Sequence, residues 1–275
     1  MPQEGPYELP DAVRETLRPS SERLVMYRRG TTLWDVAANR GRYAVKLGYP
    51  TERHAWTALA PARESAVLRQ ATGERIPQGR WERGTWSAQP WREGHSLYDL
   101  WKPHRSEDTP PAPDLGEALS CAAQLAALHD KGWVHGDVQP AHFLIERAAG
   151  TFLIDLALAQ GGPVPEQWDF PYRGCLVHYE APEISGSVLQ AGYAVPTCAS
   201  DVYALGASFF ISATGWRHVA YPDDASRPDQ RRAIVNGTHR PVIVAGVLGK
   251  LIPEMLRYDP ADRPTSAEVC AALAA

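Results

Sequence analysis

Two carboxylates stand on either side of a short apolar hairpin in this sequence. Asp137 precedes the strand Phe143-Leu144-Ile145, and Asp155 follows the strand Phe152-Leu153-Ile154. Because a hairpin returns the chain to its starting point, Asp155 is expected beside His142. Asp137 could accept the proton of a substrate hydroxyl or orient that hydroxyl, and oxygen ligands such as Asp155 suit magnesium. The pair predicts a metal-phosphate site; the alternative is two carboxylates that cap turns.

A lysine on a strand adds a third element of phosphate chemistry. Lys46 lies in the alternating segment 42–47, and the chain contains only four lysines. Transfer of a γ-phosphoryl group requires metal, an oriented hydroxyl and a cation on the inner phosphates. Glu64, on the helix that follows, is the expected partner of Lys46. A solvated lysine at a sheet edge is the alternative.

The elements that must position these residues are strands first and helices later. Strands are predicted at 24–27, 33–37, 43–47 and 85–88, with a helix over 61–70 that Pro61 opens. After the Pro-rich break Thr109–Pro113, a helix begins with Asp114 and Glu117 as a capping box and stops at Gly132. The expected fold class is α+β and bilobal, with an extension at 1–19, a small β-rich lobe at 20–92 and a larger helical lobe at 93–275.

Composition excludes several classes of function. A net charge of −4 gives no basic field for nucleic acid. The most apolar stretch, 202–216, is shorter than the ~20 residues of a membrane span, and the acidic first thirty residues predict no secretory signal peptide. Four scattered cysteines without CxxC spacing predict neither disulfides nor zinc. These observations predict a cytoplasmic protein with no nucleic-acid or membrane partner.

From about Leu24 to Ala275 the chain resembles the eukaryotic-type Ser/Thr protein kinase superfamily. Its motifs occur in the family's order, namely Tyr43-Ala44-Val45-Lys46, Glu64, His135-Gly136-Asp137, Asp155-Leu156-Ala157, Ala181-Pro182-Glu183, Ser200-Asp201-Val202-Tyr203-Ala204-Leu205-Gly206 and Asp259-Pro260-Ala261-Asp262-Arg263-Pro264. The composition, rich in Arg, Ala and Pro and poor in Lys, is typical of a GC-rich bacterial genome. The chain is thus interpreted as a divergent bacterial member.

The resemblance implies an ATP-dependent transfer to Ser or Thr of a protein or peptide, with Mg or Mn. It implies catalytic roles for Asp137, Lys46 and Glu64, and metal binding by Asp155 and His142. Around the nucleotide it implies Val36, Ala44, Lys46, Leu144, the gatekeeper Gln89, the Pro90 carbonyl and the Arg92 amide. Structural roles are implied for His135, Asp201 and the pair Glu183 and Arg263.

Five departures from the family pattern leave the activity open. The glycine-rich lid keeps only Gly30 and a final Val36, His142 replaces a metal-binding asparagine, and Ala157 replaces the glycine of DFG. Gly136 replaces the arginine that pairs with a phosphorylated activation loop, so switching by loop phosphorylation is not expected. Gln139 replaces a lysine, and the HGD-x-Q-P loop resembles small-molecule phosphotransferases.

Two alternatives therefore remain beside an active protein kinase. One is a pseudokinase that binds a nucleotide or a partner as a scaffold, which the reduced lid and His142 favour. The other is a small-molecule kinase or adenylyl transferase in a specialised pathway. The segment Gly174–Tyr179 is expected to be the peptide-docking loop, with Cys175 or Val177 where the family has threonine.

Overall fold

The computed structural model describes residues 5–52, 54–106, 112–146 and 150–275 of the chain. The described chain is α+β and separates into two units. The first unit contains residues up to 92 together with 162–170, and the second contains 93–161 and 171–275. The three-part domain scheme stays a prediction, although it assigned 162–170 to the helical lobe.

The first unit is built on a five-stranded antiparallel sheet. Its strands are β1 (Pro19–Arg28), β2 (Thr31–Ala38), β3 (Gly41–Gly48), β4 (Gln78–Trp81) and β5 (Gly84–Pro90), in the order β1-β2-β3-β5-β4. All four strands predicted from the alternating apolar pattern lie within these elements. The sheet prediction is therefore confirmed.

Strand register decides which side chains share a face of this sheet. Lys46 pairs with Leu33 on β2 and with Ser87 on β5. Ala44 pairs in the same way with Asp35 and Gln89. Because directly opposed residues lie on one face and neighbours along a strand alternate, these six residues share a face.

The opposite face of the sheet is covered by the N-terminal segment. Helix α1 (Asp11–Leu17) and Leu9 pack on it, and the buried cluster comprises Leu9, Val13, Val36, Val45, Leu47, Trp86 and Ala88. The indole of Trp34 also donates to the carbonyl of Tyr7 at 2.9 Å. Residues 9–17, expected as an extension, are thus part of the core of the first unit.

Helix α2 (Ala60–Ala71) confirms the helix predicted from Pro61 onward. Proline in the first turn costs no backbone hydrogen bond, because the first amides of a helix lack an intrahelical partner. Thr85 on β5 fixes the start of the helix: its hydroxyl accepts from the amide of Ala62 at 3.3 Å and donates to the carbonyl of Ala58 at 2.8 Å. The helix is therefore tied to the face that carries Lys46.

The second unit is mainly helical around one small sheet. The strands are β6 (His95–Ser96), β7 (Phe143–Glu146) and β8 (Gly150–Leu153), and the helices are α3 (Leu97–Leu100), α4 (Pro103–Ser106), α5 (Leu115–His129), α6 (Pro182–Ala191), α7 (Cys198–Thr214), α8 (Arg227–Asn236), α9 (Gly246–Met255) and α10 (Ser266–Ala274). The predicted hairpin is confirmed, since Phe143 pairs with Leu153. Its expected turn residues Ala148 and Ala149, and residues 109–111 of the Pro-rich break, lie outside the described residues.

Helix α5 begins after Asp114 as predicted, but the capping box is wrong. The carboxylate of Asp114 accepts from the amide of Gly116 at 2.8 Å. Glu117 instead accepts from the indole nitrogen of Trp101 at 2.9 Å. Trp101 is fully buried, and a buried indole N–H requires an acceptor. Glu117 therefore accepts the hydrogen bond of the buried Trp101 indole rather than one from a backbone amide at the start of the helix.

The most apolar segment of the chain forms helix α7, which is buried along most of its length. A helix that is apolar on all sides belongs in a protein interior or in a membrane. Tyr203, Leu205, Phe209 and Phe210 of α7 are among the largest fully buried side chains. Within the described ranges, no helix has both the length and the apolarity needed to cross a bilayer.

Candidate functional site

His142 lies between the two carboxylates that the sequence singled out. It ends a 3₁₀ turn (Pro140–His142) that leads into β7, and Asp155 follows β8. The Nε2 atom of His142 is 3.5 Å from Oδ2 of Asp155, and its Nδ1 atom is 3.9 Å from Oδ2 of Asp137. The hairpin thus brings Asp155 beside His142, as its pairing predicts.

The hydrogen bonds of His142 fix its tautomer. Its Nδ1 atom is 2.8 Å from the backbone carbonyl of Asp137. Because a carbonyl oxygen only accepts, Nδ1 must carry a proton. In the neutral imidazole Nε2 then holds a lone pair on the side of Asp155. One nitrogen and one carboxylate oxygen therefore stand together as potential ligands.

The Nε2 atom of His142 and the Oδ2 atom of Asp155 could supply two of the ligands that a divalent metal ion requires. Two donors that bond one ion at about 2.1 Å cannot lie more than about 4.2 Å apart, and the separation here is 3.5 Å. In the part of the chain that the structure describes, no group of three or more His, Cys, Asp or Glu side chains is arranged so that all of them could hold one metal ion. Phosphate oxygens and water would have to complete the coordination, as is usual for magnesium. The imidazole favours manganese over magnesium.

Asp155 has an unusual backbone conformation at this position. Its φ and ψ of 66° and 59° are left-handed, a region that Asp tolerates better than most residues. The 3₁₀ turn Leu156–Leu158 follows directly, and Ala157 in it is buried. An alanine adopts this right-handed turn without strain. Replacement of the family's glycine at 157 is thus compatible with the observed backbone.

Asp137 has a mostly buried side chain with 17% of its surface exposed. Its Oδ1 atom accepts from the side-chain amide of Gln139 at 3.1 Å. Gln139 is neutral, whereas the family's lysine carries a charge at this place. The side chain of residue 139 therefore orients the Asp137 carboxylate by a hydrogen bond, but it does not place a positive charge beside it.

A buried carboxylate holds the loop that carries Asp137. Asp201, in the first turn of α7, accepts from the amides of His135 at 2.6 Å and Gly136 at 2.9 Å. The ring of His135 in turn lies 3.1 Å from the carbonyl of Ile154, just before Asp155. The structural roles expected for Asp201 and His135 have this geometric basis. We did not predict a role for His129, whose Nε2 atom lies 3.1 Å from Asp201, because only the fold brings α5 to α7.

Two arginine-carboxylate pairs stabilise the second unit. Arg263 donates to both oxygens of Glu183 at 2.8 Å, and its guanidinium side chain is fully buried. This is the pair expected from the sequence. Arg231 of α8 makes a similar bidentate contact with the buried Glu180, at 2.7 and 2.8 Å. The second pair was not predicted from the sequence, because neither residue belongs to one of the kinase-like motifs.

In the first unit, Lys46 and Glu64 form an ion pair. The Nζ atom of Lys46 lies 2.8 Å from Oε2 of Glu64. Glu64 is buried, while 17% of the lysine side chain is exposed. The expected partner of Lys46 is therefore observed. Burial of a carboxylate is costly without such a partner, so this contact also fixes α2 against the sheet.

The strand register places the first-unit residues that the resemblance groups around a nucleotide on two different faces of the sheet. Ala44 and Gln89 lie on the face of Lys46, and the Gln89 side-chain nitrogen is buried without a hydrogen-bond partner among the described residues. Val36 pairs with Tyr43 and is fully buried in the cluster beneath α1. Val36, for which the resemblance implies a place beside the nucleotide, therefore lies on the face opposite Lys46. Leu33, which pairs with Lys46, lies on the face of Lys46 instead.

The turn between β1 and β2 differs from a glycine-rich lid. It consists of Arg29 and Gly30, with φ of 50° and 80°, which is a tight hairpin connection. The carbonyl of Gly30 accepts from the amide of Tyr49 at 2.9 Å. A Cβ atom at position 30 would overlap with the hydroxyl of Thr57. The single glycine is thus required for close packing against the end of β3.

The remaining nucleotide-binding candidates fall in both units. Pro90 ends β5 and pairs with Tyr43, and Arg92 places its guanidinium 3.1 Å from Glu74 in the first unit. Leu144 belongs to the second unit, where it pairs with Ser96 and Phe152. The nucleotide-binding assignments of these residues stay predictions.

Comparison with known proteins finds relatives that are named as serine/threonine-protein kinases. No protein-family model matches the chain. A serine/threonine-protein kinase of Drosophila simulans is 31% identical over 153 residues, which are 54% of this chain and 20% of that protein. Serine/threonine-protein kinase PknK of Mycobacterium tuberculosis is 32% identical over 188 residues, or 65% of this chain and 16% of that protein.

These matches cover only part of each relative. The chain spans about a fifth or less of the length of the curated relatives it matches. Together with the α+β architecture, they support a relationship between this chain and the protein kinase superfamily.

Proposed function

We propose that this chain is an ATP-dependent phosphotransferase of the protein-kinase type that phosphorylates Ser or Thr of a protein or peptide in the cytoplasm. The observation that carries the proposal is the row of Asp137, His142 and Asp155, with separations of 3.9 and 3.5 Å. A row of this kind unites a carboxylate for a hydroxyl with potential metal ligands. The kinase names of the relatives supply independent support.

In this proposal each residue of the second unit has a defined task. The substrate hydroxyl attacks the γ-phosphorus, its proton passes to the carboxylate of Asp137, and ADP leaves with the electrons of the broken P–O bond. Gln139 orients the Asp137 carboxylate through the 3.1 Å hydrogen bond. Asp155 and His142 would hold a divalent ion, which when bound neutralises charge on the phosphates.

The first unit would supply the cation for the inner phosphates. Lys46 carries that charge, and Glu64 limits the positions its ammonium can take through the 2.8 Å contact. Ala44, Leu33 and Gln89 share the face of Lys46 and would form the surface next to the base and sugar. The assignment of Leu33 replaces that of Val36.

The direct test is transfer of labelled phosphate from ATP to a Ser/Thr peptide library, with magnesium and manganese in separate reactions. We expect labelled serine or threonine, with the higher rate in manganese. A protein that is stabilised by ATP in a thermal melt but labels no peptide and does not label itself would contradict the proposal. Label found only on a small molecule such as an aminoglycoside would favour the small-molecule alternative.

A pseudokinase is the second candidate, and the β1–β2 turn favours it. The closed turn of Arg29 and Gly30 offers no run of glycine amides with which to approach phosphates closely. The two candidates differ in the effect of Asp137→Asn. A scaffold would keep its cellular function in this variant, whereas an enzyme would lose it.

A further inference from the structure

Gly136, which stands next to Asp137, occupies a position that excludes a side chain. Its φ is 75°, in the left-handed region. A Cβ atom here would lie 3.0 Å from the carbonyl of Leu158 and 3.2 Å from Cε2 of Tyr172. Glycine is therefore required both by the backbone conformation and by the space that Tyr172 fills.

Tyr172 also makes a specific polar contact with the same residue. Its hydroxyl donates to the carbonyl of Gly136 at 2.7 Å, and only 5% of its surface is exposed. Burial raises the pKa of the phenol well above its ordinary value, so the group remains a donor at physiological pH. Tyr172 is held in its turn by the amide of Ala194, which donates to its carbonyl at 2.9 Å.

The contact fixes one peptide plane. The carbonyl of Gly136 and the amide of Asp137 belong to the same rigid peptide unit. Tyr172 holds the carbonyl end, and the ring of His135 accepts from the amide end at 3.2 Å. With both ends bonded, the direction in which the Asp137 side chain leaves the backbone is defined.

The segment 152–183 contains no serine or threonine whose phosphorylation could hold the Gly136–Asp137 peptide instead. Residues 152–183 contain no Ser or Thr, and their only hydroxyl side chains are Tyr172 and Tyr179. Both tyrosines are buried, with 5% and 7% of their surfaces exposed. A phosphate in this segment would require one of these tyrosines to leave the interior.

We propose that Tyr172 is a positioning residue that holds the Gly136–Asp137 peptide in its active orientation, so that activity does not depend on phosphorylation of residues 152–183. The inference rests on the proposed phosphotransferase function for its consequence in catalysis. The contact of Tyr172 with Gly136 is a hydrogen bond between two neutral groups, so it requires no phosphate.

The test is Tyr172→Phe, which keeps the ring beside Gly136 and removes only the donor. We expect kcat for phosphate transfer to fall on the order of tenfold, because a buried carbonyl loses its partner, while KM for ATP stays within about twofold. Tyr193→Phe is the matched control, since Tyr193 is 55% exposed in the same unit. An unchanged kcat in Tyr172→Phe would overturn the proposal.

Two further measurements separate this inference from the proposed function. The rate of hydrogen exchange in the peptide 134–140 should rise in Tyr172→Phe and stay unchanged in Tyr193→Phe. This result is expected whether or not the protein transfers phosphate. Equal exchange rates in both variants would contradict the positioning role. Phosphatase-treated wild type should keep its full rate, with an intact mass that carries no phosphate. Loss of activity after this treatment would also overturn the proposal.

Discussion

At the level of single residues, we expect His142 to set the metal preference of the proposed site. Its Nδ1 atom is committed to the carbonyl of Asp137, which leaves Nε2 towards Asp155. A nitrogen ligand suits manganese better than magnesium, and an amide oxygen reverses that preference. The metal preference of the protein should therefore depend on this one side chain.

We expect His142→Asn to lower the ratio of manganese-supported to magnesium-supported kcat/KM on the order of tenfold. The measurement is phosphate transfer with each metal alone, over a range of metal concentrations. His95→Asn is the control, because His95 is exposed on β6. A ratio that changes equally little in both variants would mean that His142 only packs and hydrogen-bonds.

Contacts between motif residues were predictable, while contacts set by register were not. The pairs Lys46 with Glu64 and Glu183 with Arg263 follow from the motifs, and both are present. The face of Val36 depends on how β2 aligns with β3, and a shift of one residue exchanges the faces of a strand. With only one glycine in the β1–β2 segment, the motif did not define how this segment aligns with the family pattern. The nucleotide-facing position was therefore assigned to Val36, whereas in the structure Leu33 shares the face of Lys46.

At the scale of elements, helix α1 completes the core of the first unit. Val13 is fully buried in the cluster that contains Val36 and Val45. The helix has only seven residues, so its stability must come from packing rather than from its own backbone. This role was not predictable from the sequence, because the helix is too short for a clear apolar period.

We expect Val13→Ala to lower the free energy of unfolding by about 2 kcal/mol, through lost burial and a small cavity. Urea unfolding followed by tryptophan fluorescence measures the effect. Val195→Ala serves as the control, because Val195 is 73% exposed, and it should cost less than about 0.5 kcal/mol. Equal losses in the two variants would show that α1 is not part of the core.

The segment 162–170 is attached to α2 through a buried cation. Arg63 is 1% exposed and lies 3.2 Å from Asp169, with its guanidinium 5.1 Å from the ring of Phe170. Burial lowers the pKa of Arg63, and the hydrogen bond and charge of Asp169 offset part of this effect. Trp168 adds a contact with Arg80 at 4.6 Å. The acidic residue thus supports the helix that carries Glu64.

Removal of this carboxylate should weaken the first unit. We expect Asp169→Ala to cost about 1–2 kcal/mol, a value reduced because Asp169 is half exposed to solvent. Glu166→Ala removes the same charge from an exposed position of the segment and should cost less than about 0.5 kcal/mol. Hydrogen exchange of α2 and urea unfolding report the difference, and equal values would exclude a supporting role for Asp169.

At the scale of the whole molecule, buried histidines make stability depend on pH. His218 is 1% exposed, with its Nε2 atom 2.7 Å from the hydroxyl of Tyr203, which also lies 3.2 Å from His239. Burial, with smaller effects of His239 and His178, lowers the pKa of His218 to about 3. Between pH 6.5 and about 3 the unfolded chain therefore binds a proton that the folded chain does not.

The free energy of unfolding should thus fall as the pH is lowered from 7 to 5, with about 2 kcal/mol of the loss from this group. Urea unfolding at pH 7, 6 and 5 measures it. We expect His218→Gln to reduce the slope and His95→Gln to preserve it. The same slope in wild type and His218→Gln would contradict the account.

The overall architecture was predictable because the apolar spacing and the turn residues of each segment favour the element that the segment forms. The strand-rich start, the helix after Pro61 and the hairpin before Asp155 were all evident from apolar spacing and turn residues. What the sequence could not give are contacts between distant elements, such as Arg63 with Asp169 and Tyr172 with Gly136. These contacts involve residues outside the motifs, and only the folded chain brings them together.

The proposed function requires that this chain transfers phosphate through Asp137. The most direct measurement compares wild type and Asp137→Asn for the rate of phosphate transfer from ATP and for nucleotide affinity. We expect kcat to fall by at least about a hundredfold in Asp137→Asn, while ATP affinity stays within about twofold. Equal rates in the two proteins, or no transfer by wild type under conditions where ATP is bound, would contradict it.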